Sequence, residues 1–214
     1  MSGRPIVHVV DDDVGVRESL ALLLETAGID TLSHASGGDF LARLDEADGG
    51  CVLLDVRMPD IGGLEIQQTL AARGTALPVI IITGHGDIPM AVAAMKAGAF
   101  DFIEKPFSRD KLLRSVQNAL AEGERQGQAA ARAEAFLERC RSLTPRERDV
   151  LCHLVIGRPN KVIAYELGIS PRTVEIHRAR VMDKTKVGSL SELVRLAVSS
   201  GLDGLPSGPG EPGH

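Results

Sequence analysis

Aromatic side chains are scarce in this chain of 214 residues, which has no Trp, one Tyr and five Phe. Proteins that bind RNA or single strands by stacking bases need aromatic platforms, so this scarcity argues against that class. No apolar run approaches the roughly 20 residues of a membrane span. The N-terminal segment turns acidic at Asp11, where a signal peptide would need its apolar centre. We therefore expect a cytoplasmic protein without membrane association.

Cysteine is also rare, and Cys51, Cys140 and Cys152 form an odd set without the spacing of metal ligands. Cys51 opens an apolar run and Cys152 lies inside a helical pattern. We expect both to be buried, reduced thiols.

Charge is distributed unevenly along the chain. Residues 1–120 carry 17 acidic and 10 basic side chains, a balance of −7, whereas residues 142–200 carry 6 and 10, a balance of +4. An acidic half joined to a basic half favours an ion-binding site in the first and a polyanionic partner for the second. Four excess charges can also be a solvated surface, so this observation alone decides little.

Short apolar runs alternate with helical patterns up to about residue 120. We predict strands at 6–10, 31–33, 51–56, 78–83 and 101–104, and helices near 15–27, 37–46, 63–73, 88–97 and 109–122. The runs CVLLDV and VIIIT are apolar throughout, which is typical of strands covered by helices on both faces. Residues 1–122 are therefore predicted to form an α/β doubly wound domain with a five-stranded parallel sheet.

The remainder of the chain shows only helical patterns. Residues 123–141 are rich in Ala, Glu, Arg and Gln and are predicted to form a helical linker, although Gly123 and Gly127 lower the helix propensity. Residues 142–201 are predicted to form an all-α domain of four helices. Residues 202–214, rich in Gly, Pro and Ser, are expected to be disordered.

Helix-capping signals divide this all-α domain. The first helix begins with a capping box formed by Thr144, Pro145 and Glu147. Asn160 is expected to cap a second helix that ends at Gly168, and Ser170 begins the third. Two helices joined by so short a turn containing Gly indicate a helix-turn-helix.

Several predicted strands end in groups that carry charge or form hydrogen bonds. Asp11, Asp12 and Asp13 follow the first strand, Asp55 ends the third, Thr83 ends the fourth, and Lys105 follows the fifth. In an open parallel sheet these ends share the edge where ligands bind. Clustered carboxylates need a cation to neutralise them, and oxygen ligands completed by waters suit Mg²⁺. A hydroxyl and an ammonium group then suit phosphoryl transfer, with Asp55 as the best-placed nucleophile.

The Asp triplet, Thr83 and Lys105 also have ordinary structural explanations. An Asp triplet or a Thr-Gly pair after a strand is common turn chemistry, and Lys105 before a proline is compatible with a surface lysine. The combination in strand order is more specific than any one of its members.

The segments VVDDD, LLDVRMPDIGGLE, IIITGHGD and DFIEKPF resemble the receiver domain of bacterial two-component response regulators, in detail the FixJ type, over residues 4–122. The resemblance implies a flavodoxin-like fold in which Asp55 accepts a phosphoryl group from a sensor histidine kinase. It implies a Mg²⁺ site formed by Asp11, Asp12, Asp55 and the backbone carbonyl of Arg57. The residues expected to engage the phosphoryl group or to act as the switch are Thr83, Phe102 and Lys105.

The resemblance does not settle the roles of Phe102 and Asp13. An apolar residue in a strand, such as Phe102, is commonly plain core. Asp13 occupies a position that the family fills variably, and no ligand role is predicted for it.

The resemblance also implies that phosphorylation favours a homodimer through the face formed by helix 4 and strand 5.

The third helix of the C-terminal domain carries the candidates for contacting DNA. Helical geometry places Val174, Val181 and Thr185 on one side and Ile176 on the opposite side. Single exposed apolar residues are common and usually have no function, but on a recognition helix Ile176 suits contact with a thymine methyl group in the major groove. Glu175 is either an acceptor for a cytosine amino group or simply solvated, and His177 either packs or contacts a phosphate. The other candidates are Lys161, Arg172, Thr173 and Arg180 for phosphates, and Ala179 on the exposed face.

The segments LTPRERDVL and NKVIAYELGISPRTVEIHRARVM resemble the four-helix LuxR/NarL-type DNA-binding domain. The resemblance implies that the chain is a response regulator that binds double-stranded promoter DNA and regulates transcription. Activation is the expected outcome, and RNA polymerase is an expected partner. It also implies that the chain is not an enzyme beyond its own phosphorylation and dephosphorylation. Two rivals stand beside this hypothesis, namely an Asp-nucleophile phosphatase and a constitutive DNA binder with an inert receiver.

Overall fold

The computed structural model describes residues 4–44, 49–75, 77–84 and 88–202. The chain divides into two units, Met1–Gly127 and Gln128–His214. The segment expected to be disordered, 202–214, lies outside the described residues except for Leu202. None of the described helices is both long and apolar enough to cross a membrane.

The N-terminal unit contains a five-stranded parallel sheet with the order β2-β1-β3-β4-β5. Its strands are β1 (Ile6–Val10), β2 (Asp30–His34), β3 (Gly50–Asp55), β4 (Val79–Thr83) and β5 (Asp101–Glu104). Its helices are α1 (Val14–Glu25), α2 (Gly37–Ala42), α3 (Gly63–Ala72), α4 (Ile88–Lys96) and the start of α5 (Arg109–Cys140). The predicted doubly wound fold is confirmed.

The sheet is buried on both faces because consecutive residues of a strand point to opposite sides. On β3, Cys51 and Leu53 belong to one apolar cluster, which also receives side chains of α1 and α5. Val52 and Leu54 belong to a second cluster, with side chains of α2 and α3. This two-sided burial explains why the runs of β3 and β4 are apolar throughout rather than alternating.

The predicted helical conformation of residues 123–141 is confirmed up to Cys140, but the predicted end of the fifth helix near residue 122 is wrong, since α5 continues without a break to Cys140. Gly123 does not interrupt it. A Cβ at this position would lie 2.8 Å from the carbonyl oxygen of Gly50 and 3.4 Å from Cδ of Pro78. The glycine therefore permits close packing of the helix against the sheet, and the Ala-rich sequence beyond it sustains the helix.

The C-terminal unit contains the helices α6 (Pro145–Val155), α7 (Asn160–Leu167), α8 (Pro171–Thr185) and α9 (Leu190–Ser199). The capping box of Thr144 and Glu147 is confirmed, and Gly168 ends α7 in a left-handed conformation with φ 64°. The expectation that Asn160 caps α7 is wrong. Pro159 holds the N-cap position without a side-chain hydrogen bond, and Asn160 is the first helical residue.

The three cysteines are free thiols. Burial raises the pKa of Cys51 to about 12 and the pKa of Cys140 to about 11, so both stay protonated and unreactive near neutral pH. Cys152 is only half-buried, which differs from the expected full burial.

Candidate functional site

The strand order places a crevice between β1 and β3. β1 pairs with β2 on one side and with β3 on the other, so the connections leaving β1 and β3 turn to opposite faces of the sheet. Ligands bind at such a switch point in open α/β sheets. Val10 pairs with Leu54, and the next residues along the two strands are Asp11 and Asp55. The two carboxylates thus meet at the crevice because of strand register.

Lys105 joins these carboxylates. Its Nζ lies 3.0 Å from Oδ2 of Asp11 and 3.1 Å from Oδ1 of Asp55. Asp11 and Asp55 are only 4% and 9% exposed. The two buried carboxylates therefore share one ammonium group as their counter-ion. Lys105 reaches the crevice from the end of β5, where its N–H donates to the carbonyl of Thr83 at 2.7 Å.

Main-chain groups hold both carboxylates in place. Oδ1 of Asp11 accepts a hydrogen bond from the N–H of Asp13 at 2.9 Å, and Oδ2 of Asp55 accepts one from the N–H of Arg57 at 2.7 Å. The main-chain oxygen of Asp11 accepts a hydrogen bond from Nη1 of Arg17 at 2.7 Å. The acidic pocket, defined as Asp11, Asp55 and Lys105, is therefore preorganised by the loops after β1 and β3.

Burial dominates the titration of the pocket. It raises the pKa of Asp55, while the Arg57 N–H and Lys105 partly oppose this and Asp11 adds to it. Burial by itself lowers the pKa of Lys105, but its hydrogen bonds to Asp11 and Asp55 outweigh this and the pKa is raised. The ammonium group thus keeps its proton and remains the counter-ion of the pair.

The other candidates near the pocket lie in different surroundings. Thr83 is buried at the end of β4, as its position in the sequence predicts. Phe102 is half-buried and packs against the apolar cluster of α2 and α3. Asp12 is exposed in the loop after β1. Asp13, for which no ligand role is predicted, caps α1 by accepting hydrogen bonds from the N–H groups of Gly15 and Val16.

The predicted Mg²⁺ ligands are only partly brought together. Within the described ranges, no group of three or more His, Cys, Asp or Glu side chains forms a metal cluster. Asp11 and Asp55 nevertheless supply carboxylate oxygens around a single position that already attracts a cation, the Lys105 ammonium. Such oxygen donors suit a hard divalent cation that retains waters. The pair therefore fits Mg²⁺ chemically, and the full ligand set stays a prediction.

On α8 the predicted division into two faces is confirmed. Val174, Val181 and Thr185 are buried, whereas Ile176 is 46% exposed. Exposed around Ile176 are Arg172, Glu175, Ala179 and Arg180. Lys161 is exposed on α7, the first helix of the helix-turn-helix. The exposed face of α8 therefore presents one aliphatic group between two guanidinium groups, which are side chains that can contact base edges and phosphates.

Two of the candidates for DNA contact have structural roles as well. The hydroxyl of Thr173 shares a hydrogen bond with that of Ser170 at 2.8 Å, and Ser170 also accepts from the Thr173 N–H and so caps α8. His177 is half-buried, and its Nδ1 is buried without a hydrogen-bond partner among the described residues. This burial favours packing over a phosphate contact for His177.

Sequence reasoning missed two contacts. One is the Arg17 hydrogen bond to Asp11, for which the only signal is an arginine in the first turn of α1. The other joins Nζ of Lys184 to Oε2 of Glu147 at 2.6 Å, which ties the end of α8 to the capping box of α6. Lys184 therefore has a structural role in the C-terminal unit.

A groove of about 600 Å³ lies between the C-terminal part of α5, from Ala129 to Arg139, and one side of α9 in the C-terminal unit. Its charged lining includes the exposed residues Arg132 and Arg195, and its described lining residues include no nucleophile–base pair. The acidic pocket therefore stands out by its chemistry rather than by the volume of a cavity.

Comparison with known families gives two matches. Residues 7–117 match the family described as response regulator receiver domain, and residues 141–197 match the family described as bacterial regulatory proteins, luxR family. Neither is a family of catalytic enzymes. The two resemblances inferred from the sequence motifs are confirmed.

Curated relatives match nearly the whole chain. The transcriptional regulatory protein FixJ of Azorhizobium caulinodans is 52% identical over 197 residues, covering 92% of this chain and 93% of that protein. The response regulator protein TodT of Pseudomonas putida is 42% identical over 197 residues, covering 92% and 87%. Among solved structures, the response regulator StyR matches with a TM-score of 0.73 and 42% identity, over 92% of this chain and 99% of that one. Full-length FixJ from B. japonicum matches with a TM-score of 0.57 and 44% identity, over 94% and 99%.

Proposed function

Because the chain belongs to the response regulators that join a receiver domain to a LuxR-family DNA-binding domain, we propose that Asp55 is the residue whose phosphorylation controls it. We assign residues 1–122 to the receiver, 123–141 to the linker and 142–201 to the DNA-binding domain. A sensor histidine kinase donates the phosphoryl group, and the phosphorylated protein binds promoter DNA and promotes transcription by RNA polymerase.

The observation that carries this proposal is the placement of Asp55. It ends β3 at the switch point of the sheet, is nearly buried, and shares the Lys105 ammonium with Asp11. In the transfer, one oxygen of Asp55 forms a bond to phosphorus while the phosphorus–nitrogen bond of the donor histidine breaks. The electron pair of that bond stays on the imidazole. Lys105 is already in place to neutralise the charge that arrives.

The donor set for a divalent cation consists of Asp11, Asp12, Asp55 and the backbone carbonyl of Arg57. When bound, Mg²⁺ neutralises phosphoryl oxygens and the clustered carboxylates. Thr83, buried at the end of β4, donates its hydroxyl to the phosphoryl group, and Phe102 responds to the movement of Thr83. Slow dephosphorylation of Asp55 by water returns the receiver to its starting state.

Labelling with acetyl phosphate and Mg²⁺ tests the acceptor. We expect Asp55→Asn to abolish the label, because an amide is not a nucleophile for this reaction. Asp60→Asn is the matched control, since Asp60 lies in the same loop, is exposed and accepts a hydrogen bond from the Gly38 N–H. Full labelling of Asp55→Asn, located elsewhere by mass spectrometry, would contradict the assignment.

The proposed dimer face on α4 and β5 exposes apolar side chains. Val92 and Met95 on α4 are 45% and 48% exposed. We expect acetyl phosphate to raise the dimer fraction, and Met95→Glu to prevent this while leaving the label on Asp55 intact. Leu22→Glu on α1, at a residue 63% exposed, is the control. Equal loss of dimer in both variants, measured by sedimentation, would move the interface away from α4.

The DNA-binding assignment is tested on two helices. Ile176→Ala is expected to weaken specific binding more than non-specific binding, because its side chain contacts a base methyl group. Val198→Ala on α9, at a residue 53% exposed, controls for the loss of an exposed aliphatic group. Equal weakening of both kinds of binding by Ile176→Ala contradicts base contact.

Lys161→Ala is expected to remove about one phosphate contact, which reduces the slope of log affinity against log salt concentration by roughly 0.9.

A further inference from the structure

We propose that Arg17 is a positioning residue of the acidic pocket. Its guanidinium group fixes the main chain of Asp11 and so keeps the Asp11 carboxylate in place when Lys105 turns to another anion. The inference rests on the proposed function, in which Asp11 and Asp55 bind a divalent cation and Asp55 accepts a phosphoryl group.

The location of Arg17 needs an explanation. It lies in the first turn of α1, where its N–H donates to the carbonyl of the N-cap residue Asp13 at 3.1 Å. A cation in the first turn is unfavourable for a helix, because the N-terminal end carries partial positive charge. The side chain reaches back by six residues, and Nη1 lies 2.7 Å from the main-chain oxygen of Asp11. This contact, rather than the stability of α1, accounts for an arginine here.

The accepting oxygen lies where the sheet ends. β1 stops at Val10, so Asp11 lies beyond the paired strand. The Asp11 N–H retains only a long contact of 3.4 Å to the carbonyl of His34. Asp11 is also 4% exposed, and a buried carbonyl requires a donor. A charged donor at 2.7 Å therefore replaces the ladder at the point where the chain leaves the sheet.

The anchors of Asp11 differ in what they depend on. Its Oδ2 is held by Lys105, which also holds Asp55. A phosphoryl group on Asp55 attracts Lys105, and Asp11 then loses one of its side-chain partners. Its Oδ1 keeps the N–H of Asp13, and its main chain keeps Arg17. The Arg17 anchor does not involve Lys105, so it persists while the charges of the pocket are redistributed.

The consequence concerns cation affinity. A carboxylate that is already fixed loses little freedom when it binds a cation. Removing an outer partner of a metal ligand typically weakens binding about 10-fold to 100-fold. We therefore expect the dissociation constant of Mg²⁺ to rise about tenfold when Arg17 is replaced by a residue without a donor.

The experiment compares Arg17→Met and Arg17→Lys with Arg109→Met in the full-length chain. Arg109 is also an arginine in a first helical turn of the same unit, and it is exposed. Its Nη2 contacts Oγ1 of Thr26 at 3.4 Å, beyond the far end of α1. A helix of twelve residues is about 18 Å long, so this contact is remote from the pocket. The control thus removes the same charge without touching Asp11.

Two quantities are measured for each variant. Calorimetry gives the dissociation constant of Mg²⁺, and hydrogen exchange without Mg²⁺ gives the protection of the main chain around residues 11–16. We expect Arg17→Met to raise the dissociation constant about tenfold and to lower this protection. Arg17→Lys is expected to restore part of both, because an ammonium group also donates to a carbonyl. Arg109→Met is expected to behave as the wild type.

A third measurement separates positioning from participation in the reaction. At saturating Mg²⁺, Arg17→Met is expected to be labelled by acetyl phosphate at a rate within about twofold of the wild type, since binding has then restored the position of Asp11. The inference is overturned if the dissociation constants of folded Arg17→Met and the wild type agree within about twofold. It is equally overturned if the labelling rate falls at saturating Mg²⁺ with unchanged affinity.

Failure to fold does not leave the question open. If Arg17→Met proves unfolded, the comparison of Arg17→Lys and Arg17→Gln with Arg109→Met decides it by the same two quantities. Failure of the proposed function looks different, because the wild type itself then binds no Mg²⁺ or keeps its label in Asp55→Asn. Either of those results counts against the proposed function whatever the variants of Arg17 do.

Discussion

Acidification is expected to loosen the β1–β2 side of the sheet through a pair of buried histidines. His8 on β1 and His34 on β2 are 3% and 0% exposed, and Nδ1 of His8 lies 3.1 Å from Nε2 of His34. Nδ1 of His34 lies 3.4 Å from Oδ2 of Asp39, which also contacts Arg43. Phe40 packs edge-on against both rings. Both rings are thus shielded from water, and the Asp39 carboxylate beside His34 is the neighbour that favours an added positive charge.

The pKa values give the size and sign of the effect. Burial, and secondly the neighbouring His34, lower the pKa of His8 from 6.5 to about 4. Burial also lowers the pKa of His34, although Asp39 opposes this. Between pH 6.5 and 4 the unfolded chain therefore binds a proton that the folded chain does not, so stability falls as the pH falls through this window. For His8 alone, a change from pH 7.5 to about 5.5 costs about 1.3 kcal/mol, or roughly tenfold in the opening equilibrium.

The assay combines two measurements on the wild type and on His8→Leu. NMR titration of the imidazole signals gives the pKa of His8 directly. Hydrogen exchange of β1 and β2 amides, corrected for the intrinsic effect of pH, gives the opening equilibrium at about pH 7.5 and 5.5. Between about pH 7.5 and 5.5, we expect the protection of these amides to fall about tenfold more in the wild type than in His8→Leu. A His8 that titrates near its ordinary pKa of about 6.5 in the folded protein, or equal pH dependence in both proteins, would refute the reasoning.

Two further predictions concern the helices. Gly127→Ala is expected to stabilise the protein by about 0.5–1 kcal/mol, because no described atom lies within 4 Å of a Cβ added at this exposed helical position. Gly123→Ala is expected to destabilise the protein, because its Cβ would lie 2.8 Å from the carbonyl oxygen of Gly50. Thermal unfolding checks the pair, and a shift of the same sign in both contradicts the packing argument. Lys184→Met is expected to cost about 1–2 kcal/mol at pH 7, less than a fully buried pair because Lys184 is one-third exposed. The Lys184 hydrogen bond lowers the pKa of Glu147 to about 2, so urea unfolding should show stability lost between pH 4.5 and 2 in the wild type and less loss in the variant.

The sheet and the pocket were predictable because they follow from continuous apolar runs and from the order of the strands along the chain. Continuous apolar runs such as VIIIT identify strands covered on both faces, and the residues at their ends then share one edge. Asp11, Asp55 and Lys105 meet for this reason, without any information about individual side-chain conformations. The buried and exposed faces of α8 were predictable in the same way, from a period of about 3.6 residues.

The errors arise where a residue type has two uses. Gly123 lowers helix propensity, but the sequence does not tell that its missing side chain admits the oxygen of Gly50. Asn160 is a good capping residue by type, yet Pro159 precedes it and fits the N-cap position in an extended conformation with φ −65°. Arg17 contacts a main-chain oxygen, and such a contact has no sequence partner that a pattern could identify.

The shared ammonium suggests how the loading of Asp55 is linked to cation binding. In this structure Lys105 serves Asp11 and Asp55 at nearly equal distances, 3.0 and 3.1 Å, so neither carboxylate has a counter-ion of its own. Any group that draws Lys105 towards Asp55 leaves the buried Asp11 with a greater need for positive charge. Coupling of this kind is reciprocal, so whatever neutralises Asp11 must favour the release of Lys105 towards Asp55 to the same extent. We therefore expect a receiver with one lysine between two carboxylates to bind a cation and a phosphoryl group cooperatively, and in the proposed role Arg17 holds Asp11 in place during this exchange.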